Sequence, residues 1–419
     1  MRIIVIGAGI VGLASAYWLA RDGHRITVID RATAVGDGAS FANGGQLSYD
    51  YVAPLASPAV LASLPGWLLR PDSPVRFRPS ARGGQLAWAV SFLAACTGHR
   101  SRITTERLLA LARFSRSALD EMAARENIAF AHRRNGKIIF YSTEASFAAA
   151  ARQYEMQAGL GSRQIKLSRD ECIDLEPALA GAADRIRGAV HTPSEELGDC
   201  LLLCRALQRL LACTPFDVQF RLGTAVTRLV ASGSRIDAVC IGTETLEADL
   251  YVLAAGSGSH ALAGALGLAL ALYPIRGYSI SPAVADFGRV PDKSVTDYAQ
   301  RIVYARIDGT LRVAGFADIV PPTAAVDSGR IAALAEATSR LFPKACDLTR
   351  LAPWAGGRPA TPTGVPIIGR TRFANLLVNV GQGALGFTLA AGSGRLLADT
   401  VAGRGTALDM RDFGEGNIG

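Results

Sequence analysis

Residues 2–12 read Arg2-Ile-Ile-Val-Ile6-Gly7-Ala-Gly9-Ile-Val-Gly12, an apolar run that passes directly into a glycine-rich turn. A small-residue helix from Leu13 to about Arg21 follows, then a second apolar run from Ile26 to Ile29 and the acid Asp30. This order predicts a strand, a tight turn, a helix and a second strand that ends in a carboxylate. The pattern is typical of a dinucleotide-binding βαβ unit.

The three glycines have separate physical tasks in such a unit. Gly7 permits the tight turn, Gly9 lets the backbone approach a pyrophosphate, and Gly12 allows the helix to pack closely on the strand. The helix N-terminus offers free amides and the positive end of the helix dipole to phosphates.

Asp30 lies 18 residues beyond Gly12, where a carboxylate accepts hydrogen bonds from an adenosine ribose. One alternative is a turn in an α/β protein that binds nothing. A second is a signal peptide or membrane helix, because residues 3–20 are nearly uncharged. Three glycines within six residues and the immediate second strand disfavour both.

Composition favours a large two-domain protein. The 419 residues are 49% hydrophobic and 19% charged, and no other stretch approaches 18 uninterrupted apolar residues, so no transmembrane span is expected. The seven cysteines form no CxxC pair and no metal-ligand cluster, which predicts reduced thiols in a cytoplasmic chain and no metal site.

The chain is basic, with a formal net charge of +8, yet only four of its 44 basic residues are lysines. The arginines are dispersed and lack the aromatic–basic pattern of nucleic-acid binding, so no nucleic-acid partner is expected. Contact with an anionic membrane surface is the better functional interpretation of this charge, although a GC-rich genome also explains an arginine excess.

Periodicity places the remaining elements. Residues 49–82 are Pro-rich and are predicted to be irregular. Strands at 273–281 and 301–316 lack intervening helices of βαβ length, which predicts an antiparallel sheet. Further predicted helices cover about 85–95, 103–126, 144–158, 197–211, 328–341 and 387–402, and further strands cover 136–141, 225–230, 250–253 and 375–380.

Several other segments occur in the order seen in a known family: Ser40-Phe-Ala-Asn43-Gly44-Gly45-Gln46, Tyr273-Pro-Ile-Arg-Gly-Tyr278, Gly357-Arg-Pro359 through Gly369, and Gly381–Thr388. With the opening motif, they resemble the FAD-dependent D-amino-acid oxidase superfamily. Within it the chain is most similar to bacterial D-amino-acid dehydrogenase small subunits. The similarity spans nearly the whole length, including residues 193–200 and 294–307.

The resemblance implies an α/β fold, α+β overall. It consists of a glutathione-reductase-type, FAD-binding Rossmann domain and an antiparallel-sheet substrate domain of the D-amino-acid oxidase type. The FAD domain would be discontinuous, comprising residues 1–60, 190–268 and 345–419. The substrate domain would comprise residues 61–189 and 269–344.

The resemblance also implies which residues contact FAD. The ADP half would be held by Gly7, Gly9, Ile10, Val11, Gly12, Asp30 and Arg31, with Val226 meeting the adenine through its backbone. Ala255 and Gly256 would close over the pyrophosphate region. The ribityl chain and isoalloxazine would be contacted by Ser40, Asn43, Gly44, Gly45 and Gln46, and the flavin N1–C2=O edge by Gly383, Ala384, Leu385, Gly386 and Thr388.

Arg358 is the leading catalytic candidate, because in the family the arginine of the Gly-x-Arg-Pro motif clamps the substrate carboxylate. A planar guanidinium suits this task, since its fork can bond both carboxylate oxygens. Tyr278 is a candidate pocket wall, followed by Tyr51 and Tyr298. The alternatives are a structural arginine before a proline and tyrosines that only cover apolar surface.

The implied reaction is oxidative deamination of an amino acid. The substrate would dock by its carboxylate, the Cα hydride would pass to flavin N5, and the imino acid would hydrolyse to a 2-oxo acid and ammonia. Such a reaction requires alignment more than a side-chain base. The five histidines all lie outside the recognised motifs.

The subfamily resemblance favours a quinone or another non-oxygen electron acceptor and admits a partner subunit. The apolar aromatic stretches 67–69 and 88–93 are compatible with peripheral contact on the inner face of the cytoplasmic membrane. A lid or core helix is the alternative for both stretches.

Two departures from the family pattern leave the substrate open. Gln382 stands where family members often carry histidine, and Thr363 where they often carry aspartate. The alternative functions are oxidation of D-hydroxyproline or another secondary amine, oxidation of a 2-hydroxy acid, and a non-catalytic flavin-binding subunit of a larger complex.

Overall fold

The computed structural model describes residues 1–70, 73–80, 84–322 and 325–414. The helices are α1 (Ile10–Arg21), α2 (Pro58–Leu69), α3 (Gln85–Ala95), α4 (Gly98–Glu126), α5 (Glu144–Ala158), α6 (Arg169–Leu175), α7 (Cys200–Leu211), α8 (Ser259–Ala265), α9 (Ser328–Leu341) and α10 (Gly386–Val401). The strands are β1 (Arg2–Ile6), β2 (Arg25–Ile29), β3 (Gln46–Leu47), β4 (Val75–Phe77), β5 (Lys137–Tyr141), β6 (Ile165–Leu167), β7 (Gly188–Thr192), β8 (Glu196–Leu197), β9 (Val218–Arg221), β10 (Val226–Ser232), β11 (Arg235–Ile241), β12 (Glu244–Leu246), β13 (Leu250–Leu253), β14 (Tyr273–Ile280), β15 (Ser294–Asp297), β16 (Ile302–Ile307), β17 (Thr310–Ile319), β18 (Trp354–Ala360), β19 (Ile367–Arg370) and β20 (Leu376–Val380).

A six-stranded sheet with the order β19-β20-β13-β1-β2-β9 contains the N-terminal motif. The strands β20, β13, β1, β2 and β9 run parallel, and β19 pairs antiparallel at one edge. Four of the five residues of β1 are buried, as expected for a central parallel strand. The predicted βαβ unit is therefore confirmed.

The helices α1, α4 and α10 pack closely beside this sheet because glycines remove side chains from their crossings. A Cβ on Gly394 of α10 would lie 2.8 Å from the Ala14 carbonyl carbon of α1. A Cβ on Gly392 would lie 2.6 Å from the Ser115 Cα of α4. The Trp18 indole Nε1 donates to the Ala391 carbonyl oxygen over 3.0 Å, which adds a polar contact to the same interface.

A nine-stranded sheet forms the second layer, with the order β18-β14-β17-β16-β15-β5-β7-β6 and β4 beside β17. Its pairings are antiparallel except for β5 with β15 and β4 with β17. The predicted antiparallel sheet at 273–281 and 301–316 is confirmed by the β14–β17 and β16–β17 ladders, although 301–316 is divided between the two strands β16 and β17. The helix α9 contributes the fully buried Leu334 and Leu341 to the core of this layer.

The prediction of irregular structure over 49–82 is wrong in part. The helix α2 begins after Ser57, whose hydroxyl accepts a hydrogen bond from the Val60 amide over 3.3 Å, and Pro58 stands in its first turn. It continues through Pro65 although proline removes one helical hydrogen bond there. The strand β4 also lies in this segment and pairs with β17.

The helices predicted at 85–95, 144–158 and 328–341 have those bounds in the structure. The long helix begins at Gly98 rather than 103, because the Thr97 hydroxyl caps it by accepting from the Arg100 amide. No helix in the described part of the chain combines the length and apolarity needed to cross a bilayer. The proposed domain boundaries stay a prediction; β18, inside the predicted third FAD segment, pairs with β14 in the second sheet.

Candidate functional site

A cavity of about 890 Å³ is lined by residues of both large sheets. It extends from the Gly7 turn, past the Ser40–Gln46 loop, to Arg358. Almost every residue predicted to bind cofactor or substrate lines it. The exceptions are Gly12, Thr388 and Tyr298.

The glycine turn after β1 has the close contacts that its sequence predicts. Gly7 has a φ of +119°, and a Cβ there would lie 2.4 Å from the Ala254 carbonyl oxygen at the end of β13. A Cβ on Gly12 would lie 1.9 Å from the Gly7 carbonyl oxygen. Gly12 therefore sets the helix–strand packing, whereas Gly9 faces the cavity.

The N-terminus of α1 opens onto the cavity. Leu13 donates the first helical hydrogen bond, to the Gly9 carbonyl oxygen over 3.0 Å, so the preceding amides have no helical acceptor. The Ile10 amide donates instead to the Ser40 hydroxyl over 3.1 Å. Ser40 thus fastens the following loop to this helix end.

Asp30 follows β2 and also lines the cavity. Its two carboxylate oxygens accept hydrogen bonds from the Ala8 amide over 2.7 Å and from the Ala32 amide over 2.8 Å. These bonds hold the carboxylate in place and leave lone pairs on both oxygens. Arg31, Val226, Ala255 and Gly256 lie along the same part of the cavity.

A second helix N-terminus, that of α10, meets the cavity through residues 383–386. Thr388 lies behind this wall, where its hydroxyl accepts from the Ser48 amide over 3.0 Å. Gln382 is buried at the same turn, lines the cavity, and donates to the Asn379 side-chain oxygen over 2.6 Å. The helix end therefore presents backbone amides and a positive dipole end.

The loop between these two helix ends is held by its own side chains. The Asn43 side-chain oxygen accepts from the Gly45 amide over 3.0 Å, which stabilises a turn with Gly45 at a φ of +68°. The Gln46 side chain donates to the hydroxyls of Ser294 and Thr296 on β15. Gln46 therefore joins the loop to the second sheet.

Arg358 lies on β18, and its side chain crosses the neighbouring strand β14 at Gly277. A Cβ at Gly277 would lie 2.4 Å from the Arg358 Nη2 atom, so only glycine leaves room for the guanidinium. Its Nη1 atom donates to the Phe316 carbonyl oxygen over 3.1 Å. Burial lowers the pKa of Arg358, and the nearby Asp318 charge opposes that shift.

No carboxylate among the described residues forms an ion pair with Arg358. The nearby Asp318 pairs with a different arginine. Its carboxylate accepts two hydrogen bonds from the buried Arg330, one from Nε and one from Nη2. Arg358 is therefore a half-buried cation on a cavity wall with unused donors, which suits an anionic ligand.

Tyr278 lines the cavity, but its hydroxyl donates to Asp318 over 3.1 Å. Burial and this neighbouring carboxylate raise the pKa of Tyr278 to about 12. The ring meets Phe316 edge to face with centroids 6.4 Å apart. The Tyr278 hydroxyl therefore helps to hold the Asp318 carboxylate, and the Tyr278 ring forms part of the cavity wall.

Tyr51 lines the cavity, and burial raises the pKa of its hydroxyl. Tyr298 does not line it but packs on Tyr141 with ring centroids 4.7 Å apart. The structure therefore brings Arg358, Tyr278 and Tyr51 to one cavity and leaves Tyr298 in supporting contact.

Lys137 is a cavity residue that the sequence reasoning missed. Its ammonium lies 3.2 Å from the Ser48 hydroxyl and 5.0 Å from the centre of the Tyr51 ring. Burial lowers its pKa, and the charge of buried Glu195 opposes that shift. One Glu195 carboxylate oxygen accepts from the amides of Tyr49, Asp50 and Tyr51. The sequence feature that could have revealed Lys137 is a single lysine inside the otherwise apolar run 136–141.

Two sequence hypotheses concern residues beside this cavity. The Thr363 hydroxyl accepts from the Val365 amide over 3.2 Å, which is the loop hydrogen bonding expected of that position. In the stretch 88–93, Trp88 is buried, stacks on Phe92 at 5.4 Å and donates to the Ala360 carbonyl oxygen. The aromatic face of α3 therefore belongs to the core.

The residues fit a flavin adenine dinucleotide. The cavity offers two helix N-termini for negatively charged groups, a carboxylate at the end of β2 for a ribose, and space opened by glycines. A model of the DAO family, described as FAD dependent oxidoreductase, matches residues 2–400. The chain belongs to this family.

This FAD-dependent oxidoreductase has curated relatives of nearly equal length. It is 47% identical to "D-amino acid dehydrogenase 2" of Ralstonia nicotianae over 417 residues, which covers 97% of this chain and 98% of the relative. It is 44% identical to "D-amino acid dehydrogenase 2" of Pseudomonas aeruginosa, covering 97% and 96%. It is 40% identical to "D-amino acid dehydrogenase" of Paramagnetospirillum magneticum, covering 99% and 98%.

Solved structures of the same fold confirm the predicted fold class. Glycine oxidase from Geobacillus kaustophilus superposes with a TM-score of 0.74 at 22% identity and covers 98% of both chains. L-proline dehydrogenase from P. horikoshii superposes with a TM-score of 0.72 at 16% identity, covering 98% of this chain and 95% of that one. The enzyme therefore combines the family's fold with a cavity suited to FAD.

Proposed function

We propose that this enzyme catalyses the oxidative deamination of D-amino acids, giving a 2-oxo acid and ammonia. The observation that carries the proposal is the Arg358 guanidinium, which lies half-buried on the cavity wall with free donors and no carboxylate partner in the described part of the chain. The names of relatives at 40–47% identity support the D-amino acid as substrate.

Arg358 binds the substrate carboxylate in this proposal. A guanidinium presents parallel N–H donors that match both oxygens, so it orients the amino acid as well as holding it. The Phe316 carbonyl oxygen holds one nitrogen from behind, and Gly277 leaves the path of the side chain open. Each hydrogen bond to a charged group contributes about 1.5–3 kcal/mol.

When bound, FAD would supply the hydride acceptor, flavin N5, for the hydrogen on the substrate Cα. Asp30, Arg31 and the α1 N-terminus hold its ADP half in this proposal, with Val226, Ala255 and Gly256 beside it. Residues 40–46 and the α10 N-terminus hold the flavin half. The α10 dipole, about half a positive charge, stabilises negative charge at the end of the cavity that it faces.

The cavity residues promote the reaction in this proposal by aligning the substrate, and no side chain is required as a base. Tyr278 keeps its hydroxyl on Asp318, and its ring, with Phe316, borders the Arg358 site. Tyr51 borders the cavity beside Lys137. Oxidation of the amino acid gives an imino acid, which hydrolyses in water to the 2-oxo acid and ammonia.

We also propose a quinone or another non-oxygen electron acceptor and a peripheral position on the cytoplasmic face of the membrane, with a partner subunit as a further candidate contact. The support is the outer side of α3, where Leu86, Val90 and Leu93 are 57%, 67% and 48% exposed. The inner side of the same helix borders the cavity through Trp88 and Phe92. An apolar patch of this kind suits a lipid surface.

An anaerobic substrate panel tests the reaction. The yellow holoenzyme should lose its flavin absorbance on mixing with D-amino acids and keep it with the L-enantiomers. Bleaching by 2-hydroxy acids or by secondary amines such as D-hydroxyproline, and not by primary D-amino acids, would replace the proposal by one of those activities. No bleaching by any small acid or amine would show a non-catalytic flavoprotein.

A further inference from the structure

The charges that line the cavity are unevenly distributed. The lining acids among the described residues are Asp30 and Asp37, both in the N-terminal part of the chain at the proposed ADP end. The described lining residues of the second sheet and its turns include three cations, Arg358, Lys137 and Arg301, and no carboxylate. This side of the cavity can therefore accept more negative charge than one substrate carboxylate supplies.

Two of the three cations already have partners. Arg358 is assigned to the carboxylate that every amino acid carries. Lys137 hydrogen-bonds Ser48 and is balanced by the buried charge of Glu195. Arg301 is the cation left over, since no described carboxylate lies within ion-pair distance of it.

Aromatic rings hold the Arg301 guanidinium in place of a carboxylate. Its central carbon lies 4.1 Å from the centre of the Tyr298 ring and 5.8 Å from the centre of the Trp67 ring. Stacking of this kind fixes the plane of a guanidinium and leaves its in-plane N–H donors available. The Tyr51 ring borders the same part of the cavity.

The backbone also favours a specific role for this residue. Arg301 ends the turn between β15 and β16 at a φ of +56°, a left-handed conformation that residues other than glycine adopt rarely. Asp297 anchors the turn: it is 1% exposed, accepts from the Gln300 amide over 3.1 Å, and pairs with Arg185 at 3.2 Å. The turn that carries Arg301 to the cavity is therefore held by a buried side chain.

We propose that Arg301 binds a second carboxylate, in the substrate side chain, and that the enzyme prefers acidic D-amino acids of the glutamate and aspartate type. This inference rests on the proposed function. The methylene groups of such a side chain would lie near Tyr51 and Trp67, and its carboxylate would meet the stacked guanidinium.

The test compares isosteric pairs: D-glutamate with D-glutamine, and D-aspartate with D-asparagine. The holoenzyme is assayed anaerobically with an artificial electron dye. Because one charge-assisted hydrogen bond contributes about 1.5–3 kcal/mol, kcat/KM for at least one acid should exceed that for its amide by roughly 10- to 150-fold. Equal values for acid and amide in both pairs overturn the inference, and the proposed function still stands if both members are oxidised.

Arg301→Met should remove the preference by raising KM for the acid, whereas kcat/KM for the amide should change by less than about twofold. Arg301→Lys should retain part of the preference for the acid. The exposed Arg289, paired with Asp286 at the surface, provides the control Arg289→Gln, which should behave as the native enzyme. Equal losses for acid and amide in Arg301→Met would show a structural role and overturn the inference. If Arg301→Met does not fold, Arg301→Gly, which suits the left-handed turn, replaces it.

A binding measurement without turnover gives an independent readout. Glutarate, a dicarboxylate without an amino group, is titrated against butyrate while the absorbance of bound FAD is followed. Glutarate should bind at least tenfold more tightly to the native enzyme, and this advantage should disappear in Arg301→Met. Equal affinities in the native enzyme would contradict the second carboxylate site.

Discussion

Gly277→Ala should weaken substrate binding without touching the substrate. The new Cβ would lie 2.4 Å from Arg358 Nη2, 2.8 Å from Cζ and 3.0 Å from Nε, whereas ordinary contact begins at 3.4 Å. The guanidinium must therefore move by about 1.0 Å, the difference between 3.4 and 2.4 Å. The moving group is the end of a flexible side chain, so the strands themselves can stay in place.

A shift of this size lengthens a hydrogen bond of about 2.8 Å beyond its useful range. Loss of one of the two bonds to the substrate carboxylate costs about 1.5–3 kcal/mol, which corresponds to a roughly 10- to 150-fold higher dissociation constant. FAD should remain bound, and the melting temperature should fall only slightly.

Stopped-flow mixing of the holoenzyme with a D-amino acid measures this effect, because the dependence of flavin bleaching on substrate concentration gives the dissociation constant. Gly309→Ala is the matched control, since a Cβ there meets nothing within 4 Å and the residue lies between two strands of the same sheet. In an Arg358→Met background, Gly277→Ala should add almost nothing. An undiminished effect in that background would refute the reasoning, because it would show that the glycine acts by another route.

Three further outcomes are expected. Arg358→Ala should raise KM at least 100-fold while flavin absorbance shows that FAD stays bound; loss of FAD would mean that the residue is structural. Lys137→Met removes a cavity cation and should lower the midpoint potential of bound FAD by about 30–60 mV, or ~1.4–2.8 kcal/mol for two electrons, measured by spectroelectrochemistry; an unchanged potential would place the flavin beyond its influence. Burial raises the pKa of Glu196, but the His132 hydrogen bond and the charges of Arg116 and Arg134 outweigh burial, so the net effect is a lowered pKa. A lowered pKa in the folded state stabilises the protein above the unfolded pKa, and this stabilisation is lost as pH falls through the folded pKa. Glu196→Gln removes the charge that these donors face, so it should cost about 1–3 kcal/mol at pH 7 and flatten the fall of Tm below about pH 4.5; a pH curve parallel to that of the native enzyme would contradict this.

The N-terminal motif was predictable because its constraints are local. Gly7, Gly9, Gly12 and Asp30 act within one βαβ unit, where spacing along the chain nearly equals placement in space. The same holds for the turn at residues 381–386, where a strand, glycines and a helix follow one another directly. Both predictions needed little knowledge of the rest of the molecule.

The helix α2 was missed because proline composition is a poor guide where tertiary packing compensates for it. Pro58 occupies a favourable first-turn position, and Val60 and Leu64 pack on the cluster around Trp88. The strand β11, Arg235–Ile241, was also missed, although the alternation of exposed and apolar residues at its start is a usable strand signal.

The family resemblance pointed to Arg358, but nothing in the chain around it revealed that Gly277 makes room for it or that the Phe316 carbonyl holds it. Lys137 and Arg301 lie 164 positions apart in the sequence. They reach one cavity because β5 pairs with β15, and Arg301 lies in the turn that follows β15. Motifs recorded along the chain therefore established the dinucleotide unit and the reaction class. The charge pattern around the substrate followed from strand pairing across long sequence separations, which neighbouring residues do not encode.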